Sequence, residues 1–525
     1  MREKSVCRLL VVALVTCLAS CSVDDDNEPS IFDNKKSIVI LYENDVHCNI
    51  DGYTKFAGLR DAIARTDTSY VGMVSSGDYL QGALAGAISR GQYIVDIIRN
   101  VGYDAITLGN HEFDYLTPHM LELLPKIGAP VVCTNLFEYG SSTPMFPGYF
   151  IKRYGGKKIA FVGTLTPETK QSESYAFFDS DKNQIYDVPE AETYTLVQKA
   201  ANEARKEGAD YVVVLSHLGE TNSMTGIDSH KLVEATNGID AVLDGHTHAV
   251  IPCDWVANKD GKKIPVTQTG TQFANVGKLW ISPDGTFHTM LVPTADIPYT
   301  SQRVTATTDS IKVLLDNATN KQLATLDFDL PAKDADGAWI TRREEAALGN
   351  LVTDAFRIQL DSDIGIVNGG GVRNGINAGI VNYGDVVSVL PNDNSADVIE
   401  ATGTEILNML SKCTENCPEP DGSFPQVSGM KFTIHTLTHT VTDVEVYDKE
   451  SNSYKPIEAE RTYTIAINDY YQSGGYYDTL ANCTVIKKGQ LLIRDILAEY
   501  LEQTLNGIIP DSYRTPQGRI TIVAD

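Results

Sequence analysis

The 525-residue chain has no pair of cysteines spaced Cys-x-x-Cys, no internal repeat and no low-complexity tract. The first absence removes the usual structural zinc motifs. The other two remove repeat architectures and long disordered arms. Positive charge is also short: 43 Lys and Arg face 69 Asp and Glu, a formal net charge of −26. Such a surface disfavours general binding to nucleic acid polymers or anionic lipid. It does not exclude an anionic small substrate, because bound metal ions reverse the local field. The apolar stretch Leu9–Ala19 is too short to span a bilayer. What remains is a chain with 42% hydrophobic residues. It is long enough to fold and too long for one ordinary core, so two domains are expected.

The N-terminus reads as an export signal over residues 1–20. Arg2, Lys4 and Arg8 form its basic region and Leu9–Ala19 its apolar core. Leu18-Ala19-Ser20-Cys21 resembles the lipobox of bacterial lipoproteins, which makes Cys21 the candidate lipidated residue and the anchor to a membrane. The alternative is an ordinary secretory signal with an incidental cysteine. Residues 21–36 then form an acidic tether, and its acidic run resembles the surface-export signal of some Gram-negative lipoproteins. An exported outer-membrane lipoprotein, open to the surface, is the expectation. Beyond the signal, Cys413 and Cys417 are close enough in sequence to pair, without the connectivity being determined.

Five apolar stretches each stop in a cluster of His, Asp or Asn. Ser37–Tyr42 runs into Asn44-Asp45-Val46-His47, where alternation by two places Asp45 and His47 on one side of an extended segment. Tyr70–Val74 runs into Gly77-Asp78. Asp104–Leu108 runs into Gly109-Asn110-His111-Glu112-Phe113-Asp114. Tyr211–Leu215 runs into Ser216-His217, and Ile239–Leu243 into Asp244-Gly245-His246-Thr247-His248. Helical patterns such as Gln92–Asn100 and Glu192–Lys206 lie between them. Any one such terminus reads equally well as a turn or a helix cap. Five together describe an α/β sheet that gathers a site at the carboxyl ends of its strands.

The candidate ligands are Asp45, His47, Asp78, Asn110, His217, His246 and His248. Mixed imidazole and carboxylate donors suit zinc, manganese, iron or cobalt better than calcium or magnesium. Seven exceed what one tetrahedral ion needs, and two ions sharing one carboxylate use them all. Two ions a few ångströms apart clamp an in-line displacement and lower the pKa of a shared water. His111 is left over, placed to act on a leaving group or developing charge, with Asp114 three residues on to hold its ring.

Asn44-Asp45-x-His47, Gly77-Asp78, Gly109-Asn110-His111-Glu112, His217 and Gly245-His246-Thr247-His248 resemble, in order, the signature set of the calcineurin-like metallophosphoesterases. The 5′-nucleotidase branch is the closer match. The resemblance implies a four-layer α-β-β-α domain, placed at 37–300, with a connecting helix or linker at 301–340. A smaller α/β C-terminal substrate-binding domain follows at 341–525. It implies one divalent ion on Asp45, His47, Asp78 and His248, and a second on Asp78, Asn110, His217 and His246, bridged by Asp78. His111 and Asp114 match the catalytic pair. Glu43, Glu112 and Asp244 are expected to support the ligands through hydrogen bonds, and Cys48 to be a packed residue. His119 and His230 match no motif and read as surface residues.

In the second half, Arg342 precedes a helical pattern over Glu344–Gln359, and Ser310–Ala324 is a further helix candidate. A short strand runs into Asn368-Gly369-Gly370-Gly371-Val372-Arg373. These segments resemble the phosphate-binding elements of 5′-nucleotidases, since arginine grips phosphate bidentately and glycine admits it closely. Tyr470 falls where the family places one of two rings that sandwich the base. The second ring is replaced by Asn392, and the aspartate for the ribose by Tyr476, with Asp478 nearby. The function implied is hydrolysis of a small phosphoester, 5′-nucleotides to nucleosides and phosphate, by in-line attack of a hydroxide shared by two metal ions. The alternatives are a 2′,3′-cyclic nucleotide phosphodiesterase, a UDP-sugar pyrophosphohydrolase, or a surface binding lipoprotein on a scaffold that has lost catalysis.

Overall fold

The computed structural model describes residues 36–524 except 180–182, 222–224, 393, 473–478 and 488–490. Cys21 with its signal and tether, and Tyr476 and Asp478, lie outside the described residues.

The first domain is two stacked sheets with helices on both outer faces. The strand Ser37–Glu43 shows why. Its residues alternate, with Ile38, Ile40 and Tyr42 buried toward the second sheet and Val39 and Leu41 buried toward the helices. A strand covered on both faces must be apolar throughout, and this one is. It pairs parallel with Ser69–Ser75 and antiparallel with Asn275–Ile281 in a five-stranded sheet completed by Phe287–Pro293 and Ala105–Ile106. The second sheet has six strands. Its parallel centre is Lys157–Leu165, Tyr211–His217 and Ala241–Leu243. Phe161, Val213, Leu215 and Leu243 meet Ile40, Tyr42 and Val74 between the sheets.

Helices Ile50–Arg65, Gln92–Val101 and Thr117–Ile127 cover the first sheet, and Thr193–Lys206 and Ser229–Ala235 cover the second. Gln92–Val101 buries Ile94, Val95, Ile97, Ile98 and Val101, the spacing of one helical face. Gly102 ends it at φ 78°, a left-handed cap that costs glycine no Cβ clash. This is the four-layer α-β-β-α arrangement expected.

The connecting helix spans Gln302–Thr319 and buries Val304, Ile311 and Leu315 in the first domain's core. The last residues of the expected helix Ser310–Ala324, from 322 on, belong instead to the strand Gln322–Leu326, paired with Gly379–Asn382 in the second domain. The helix expected from Glu344 starts at Ala347. The second domain holds a five-stranded sheet centred on Thr462–Asn468, flanked by Ile364–Asn368 and Ala396–Thr402. A four-stranded sheet is closed by the C-terminal strand Ile520–Val523. Cys413 and Cys417 are both buried and unbonded to each other, with thiols directed to Met409 and to the Arg343 carbonyl. Among the described residues no helix is long and apolar enough to cross a membrane.

Candidate functional site

Parallel strands point their carboxyl ends the same way, so the five loops converge. Backbone hydrogen bonds then lock them together. Asp45 N–H donates to Gly77 O at 3.0 Å and His47 N–H to Asp78 O at 3.0 Å. Glu112 accepts from four backbone amides, those of Asp78, Gly109, Tyr79 and Leu80, at 2.6–3.0 Å. One buried carboxylate thus fastens the Asp78 loop to the Asn110 loop. Gly109 has to be glycine, because a Cβ there would sit 2.1 Å from Asp78 Oδ1.

The expected extended run Asp45–His47 is not extended. Asp45 and His47 have φ of 51° and 43°, and Asp78, His246 and His248 are also left-handed at 61°, 85° and 58°. The amide bonds to the Asp78 loop force the first segment to turn. Five of the seven candidate ligands therefore sit in backbone that L-residues avoid, as happens where a site over-determines the chain.

Asp45, His47, Asp78 and His248 form one group whose ligand atoms all lie within 4.8 Å of one another. Nε2 of His47 faces Nε2 of His248 at 3.0 Å. His248 Nε2 is 3.4 Å from Asp45 Oδ1. Asp78 Oδ2 lies 3.8 Å from His47 Nε2 and 3.2 Å from His217 Nε2, so one oxygen serves both sides. Its other oxygen accepts the His111 amide at 2.9 Å. On the far side His246 Nδ1 is 3.1 Å from Asn110 Oδ1. The His217 and His246 rings are 5.4 Å apart.

These donors fit a cation. His217 Nδ1 lies 2.7 Å from the Ser76 carbonyl, an acceptor that holds the N–H on that nitrogen and leaves Nε2, fully buried, turned to the carboxylates. Burial opposes charge on this ring, yet Asp78 and Asp45 outweigh it and push His217 up to about 10. Asp78 is held well below the usual carboxylate range: burial opposes this, and His217 and His111 overcome it. The pocket is built around positive charge.

His111 Nδ1 lies 3.0 Å from Asp114 Oδ1, the orienting contact expected of that pair. Burial works against its charge, but Asp114 and Asp78 raise it well above the ordinary histidine value. Asp244 is buried, is pushed up to about 6 mainly by burial, and accepts the Ser229 hydroxyl beneath the His246 turn. Cys48 is buried with its thiol on the Tyr79 carbonyl, a packed residue. His119 and His230 are half-buried, bonded to the Arg90 carbonyl and facing Asp254, and neither belongs to the cluster.

The substrate candidates lie on the second domain. The Arg342 guanidinium stacks 4.1 Å over the Trp339 ring, and its carbonyl accepts the Asp421 amide. Asn368 is buried. It donates to the Gly422 carbonyl and accepts from Asn468, two residues before the half-buried Tyr470. Arg342, Asn368 and the Tyr470 segment are thereby knit together. Arg373 is exposed, and its amide bonds to Val389 O at the end of the helix that leads to Asn392. Asn392 reaches the first domain, where its Oδ1 accepts from Gln81 Nε2 at 3.5 Å. Arg494 donates to the Asn392 carbonyl and to Ala87 O of the first domain.

Two acidic residues were not foreseen. Glu168 Oε2 lies 3.1 Å from His246 Nε2, and Glu173 groups with His111 and Asp114. Both follow the strand Lys157–Leu165, a sixth apolar run, whose end reads Thr166-Pro167-Glu168 and not His, Asp or Asn.

Residues 38–250 match the family model of calcineurin-like phosphoesterases, and 329–481 match that of the 5′-nucleotidase C-terminal domain. A snake venom 5′-nucleotidase of Gloydius brevicauda is 24% identical over 529 residues, covering 89% of this chain and 86% of that protein. The trifunctional nucleotide phosphoesterase protein YfkN of Bacillus subtilis is 24% identical over 502 residues, 86% of this chain and 33% of its own length. The endonuclease YhcR of the same organism is similarly long, so the chain spans about a third of both these relatives, 33% and 32%. A 5′-nucleotidase precursor from Thermus thermophilus has the same fold at a TM-score of 0.69 and 23% identity, covering 93% of this chain and all of that one. A putative 5′-nucleotidase from Staphylococcus aureus, solved with α-ketoglutarate, gives 0.72 at 20% identity and covers the same shares.

Proposed function

The chain belongs to the calcineurin-like phosphoesterases that carry a 5′-nucleotidase C-terminal domain, and from that premise we propose that it hydrolyses phosphate monoesters, 5′-nucleotides first among them, to an alcohol and inorganic phosphate. The observation that carries this is the single oxygen, Asp78 Oδ2, turned to His47 on one side and His217 on the other. Asp45, His47, Asp78 and His248 would hold one divalent ion, and Asp78, Asn110, His217 and His246 a second. Two such ions supply a nucleophilic water near neutral pH and neutralise the charge of the transferring phosphoryl group.

The chain's own residues do the rest. Asn44 donates to Asp45 Oδ2 at 2.6 Å and accepts from Thr269, fixing the first carboxylate. Glu112 holds the Asp78 and Asn110 loops in register. His111, oriented through Nδ1 by Asp114, presents Nε2 for a proton or hydrogen bond to the departing oxygen. Arg342 and Arg373 would receive the substrate's anionic groups, Asn368 would line their site, and Tyr470 would stack on a base.

A screen of the purified protein over AMP, ribose 5-phosphate, 2′,3′-cyclic AMP and a UDP-sugar tests the proposal, with inorganic phosphate read for the monoesters and the monophosphate products, separated by chromatography, read for the other two. Release from the monoesters supports it. Turnover confined to the cyclic diester or the UDP-sugar replaces it with a diesterase or pyrophosphohydrolase, and binding without turnover leaves a binding protein. The proposal extends to anchoring by a lipid on Cys21 at the outer membrane. Cys21→Ala should release the protein from the membrane fraction, and retention there overturns the assignment.

A further inference from the structure

If His246 binds a metal ion, as the proposed function requires, one of its neighbours has no part in that role. Its Nδ1 faces Asn110 Oδ1 at 3.1 Å, while its Nε2 faces Glu168 Oε2, also at 3.1 Å. A neutral imidazole carries one N–H and so satisfies one acceptor. Both nitrogens are accommodated together when Nε2–H donates to Glu168 and Nδ1 gives its lone pair to an ion shared with Asn110. Glu168 is well placed to hold that arrangement. Both side chains are mostly buried, at 14% and 16% exposure, so their bond is sheltered from competing water.

The backbone of Glu168 is anchored as well. It lies three residues past the strand Lys157–Leu165 and caps the short helix Thr169–Ser172, whose last amide, on Ser172, bonds back to the Glu168 carbonyl at 3.0 Å. His246 itself is held by its amide on Asp45 at 3.0 Å, in a left-handed backbone. One constraint thus acts on the main chain and another on the far edge of the ring.

We propose that Glu168 is a positioning residue that fixes the tautomer and orientation of His246 toward the second ion. It acts through the imidazole, as carboxylates behind metal-bound histidines do, and does not itself touch substrate. It is a sixth strand-end contribution to the site.

The test is metal binding by the full chain, with zinc or manganese added to chelator-stripped protein and both stoichiometry and affinity measured. Wild type should take up two ions. Glu168→Ala should bind one ion as wild type does and the other about 10–100-fold more weakly, the usual cost of losing such a partner. Glu168→Gln keeps a hydrogen-bond acceptor for Nε2–H and should recover part of that loss. In a His246→Ala background, Glu168→Ala should cost nothing further. Unchanged affinity in Glu168→Ala overturns the proposal. So does an equal loss at both ions with reduced thermal stability, which marks a structural role, or Glu168→Gln as damaging as alanine, which marks a direct ligand. If wild type binds no ion at all, the metal-dependent reading of the whole site falls and this proposal falls with it.

Discussion

Nε2 of His47 and Nε2 of His248 face each other at 3.0 Å, one on the loop after Ser37–Glu43 of the first sheet and the other on the loop after Ala241–Leu243 of the second. Two imidazole nitrogens approach that closely when a proton or a cation lies between their lone pairs. Asp45 Oδ1 and Asp78 Oδ2, at 3.4 and 3.8 Å from these nitrogens, supply the compensating charge.

The ligand groups should therefore be separable by metal analysis. Asp78→Asn weakens a carboxylate oxygen that faces both His47 and His217 and should cost both ions and nearly all turnover. His248→Ala should cost one ion, because His217 and His246 are untouched. Chelation should silence the wild type, with manganese, zinc or cobalt restoring it. Full activity in metal-free protein would refute the site as drawn.

His111 makes a different prediction. Its ring is oriented by Asp114, and its link to Asp78 is through the backbone amide, which an alanine retains. His111→Ala should keep its metal content and lose about 10²–10⁴ in kcat, the range for removing an acid/base group. Asp114→Asn should show a smaller loss in the same direction. A parallel loss of metal would show that His111 is a ligand.

Glu43 carries a pH prediction. Burial pushes it up to about 8, and Oε2 has no hydrogen-bond partner while Oε1 accepts from Tyr103. A carboxyl whose folded pKa is raised binds its proton more tightly in the folded state. Its contribution to stability is full below about 4.5 and is lost as pH rises toward 8. Chelator-stripped protein should accordingly lose a few kcal/mol of stability from this group between pH 5 and pH 8, of the order of 1.4 kcal/mol per pH unit at most. Glu43→Gln should flatten that slope in thermal or denaturant unfolding. A slope unchanged by the substitution would place its origin elsewhere.

Much of this site could be read in the sequence because the sheet forces the signal into the open. A strand buried on both faces must be continuously apolar, so the abrupt change to polar residues at Asp45, Asp78, Asn110, His217 and His246 marks where each strand leaves the core. Other features are tertiary and left no local trace. The left-handed turn at Asp45 and His47 is imposed by amide bonds to a loop thirty residues away. Glu168 leaves no comparable trace, because Thr166-Pro167-Glu168 has the composition of an ordinary helix start. The first turns of the helix Gln302–Thr319 carry Val304, Thr305, Thr307 and Thr308, β-branched residues of weak helix propensity, and the helix is held by burial in the first domain's core. The strand Gln322–Leu326 exists because Gly379–Asn382 pairs with it.

On the proposed function, Asn392 carries a prediction about substrate choice. In the family this chain resembles, the position after Leu-Pro carries a ring, and a base held between two rings gains roughly 1–3 kcal/mol per stacked face by alanine substitution. Here the position is an amide whose Oδ1 accepts from Gln81 of the first domain, three residues past Asp78. Tyr470 remains half-buried to stack on one face. Losing one face would lower discrimination for the base, whereas Arg342 and Arg373, in the role proposed for them, would grip phosphate whatever it is attached to. The wild type should therefore cleave ribose 5-phosphate with a kcat/KM within about tenfold of that for AMP, since the one remaining face, at about 1.4 kcal/mol, is worth a factor of ten. Asn392→Phe should widen the preference for AMP by a similar factor, chiefly through KM. The Gln81 contact is lost in that variant too, so Gln81→Ala serves as the control and should leave the ratio of the two substrates unchanged. Strong preference for AMP in the wild type, unaltered by Asn392→Phe, would mean that the base is recognised by other residues.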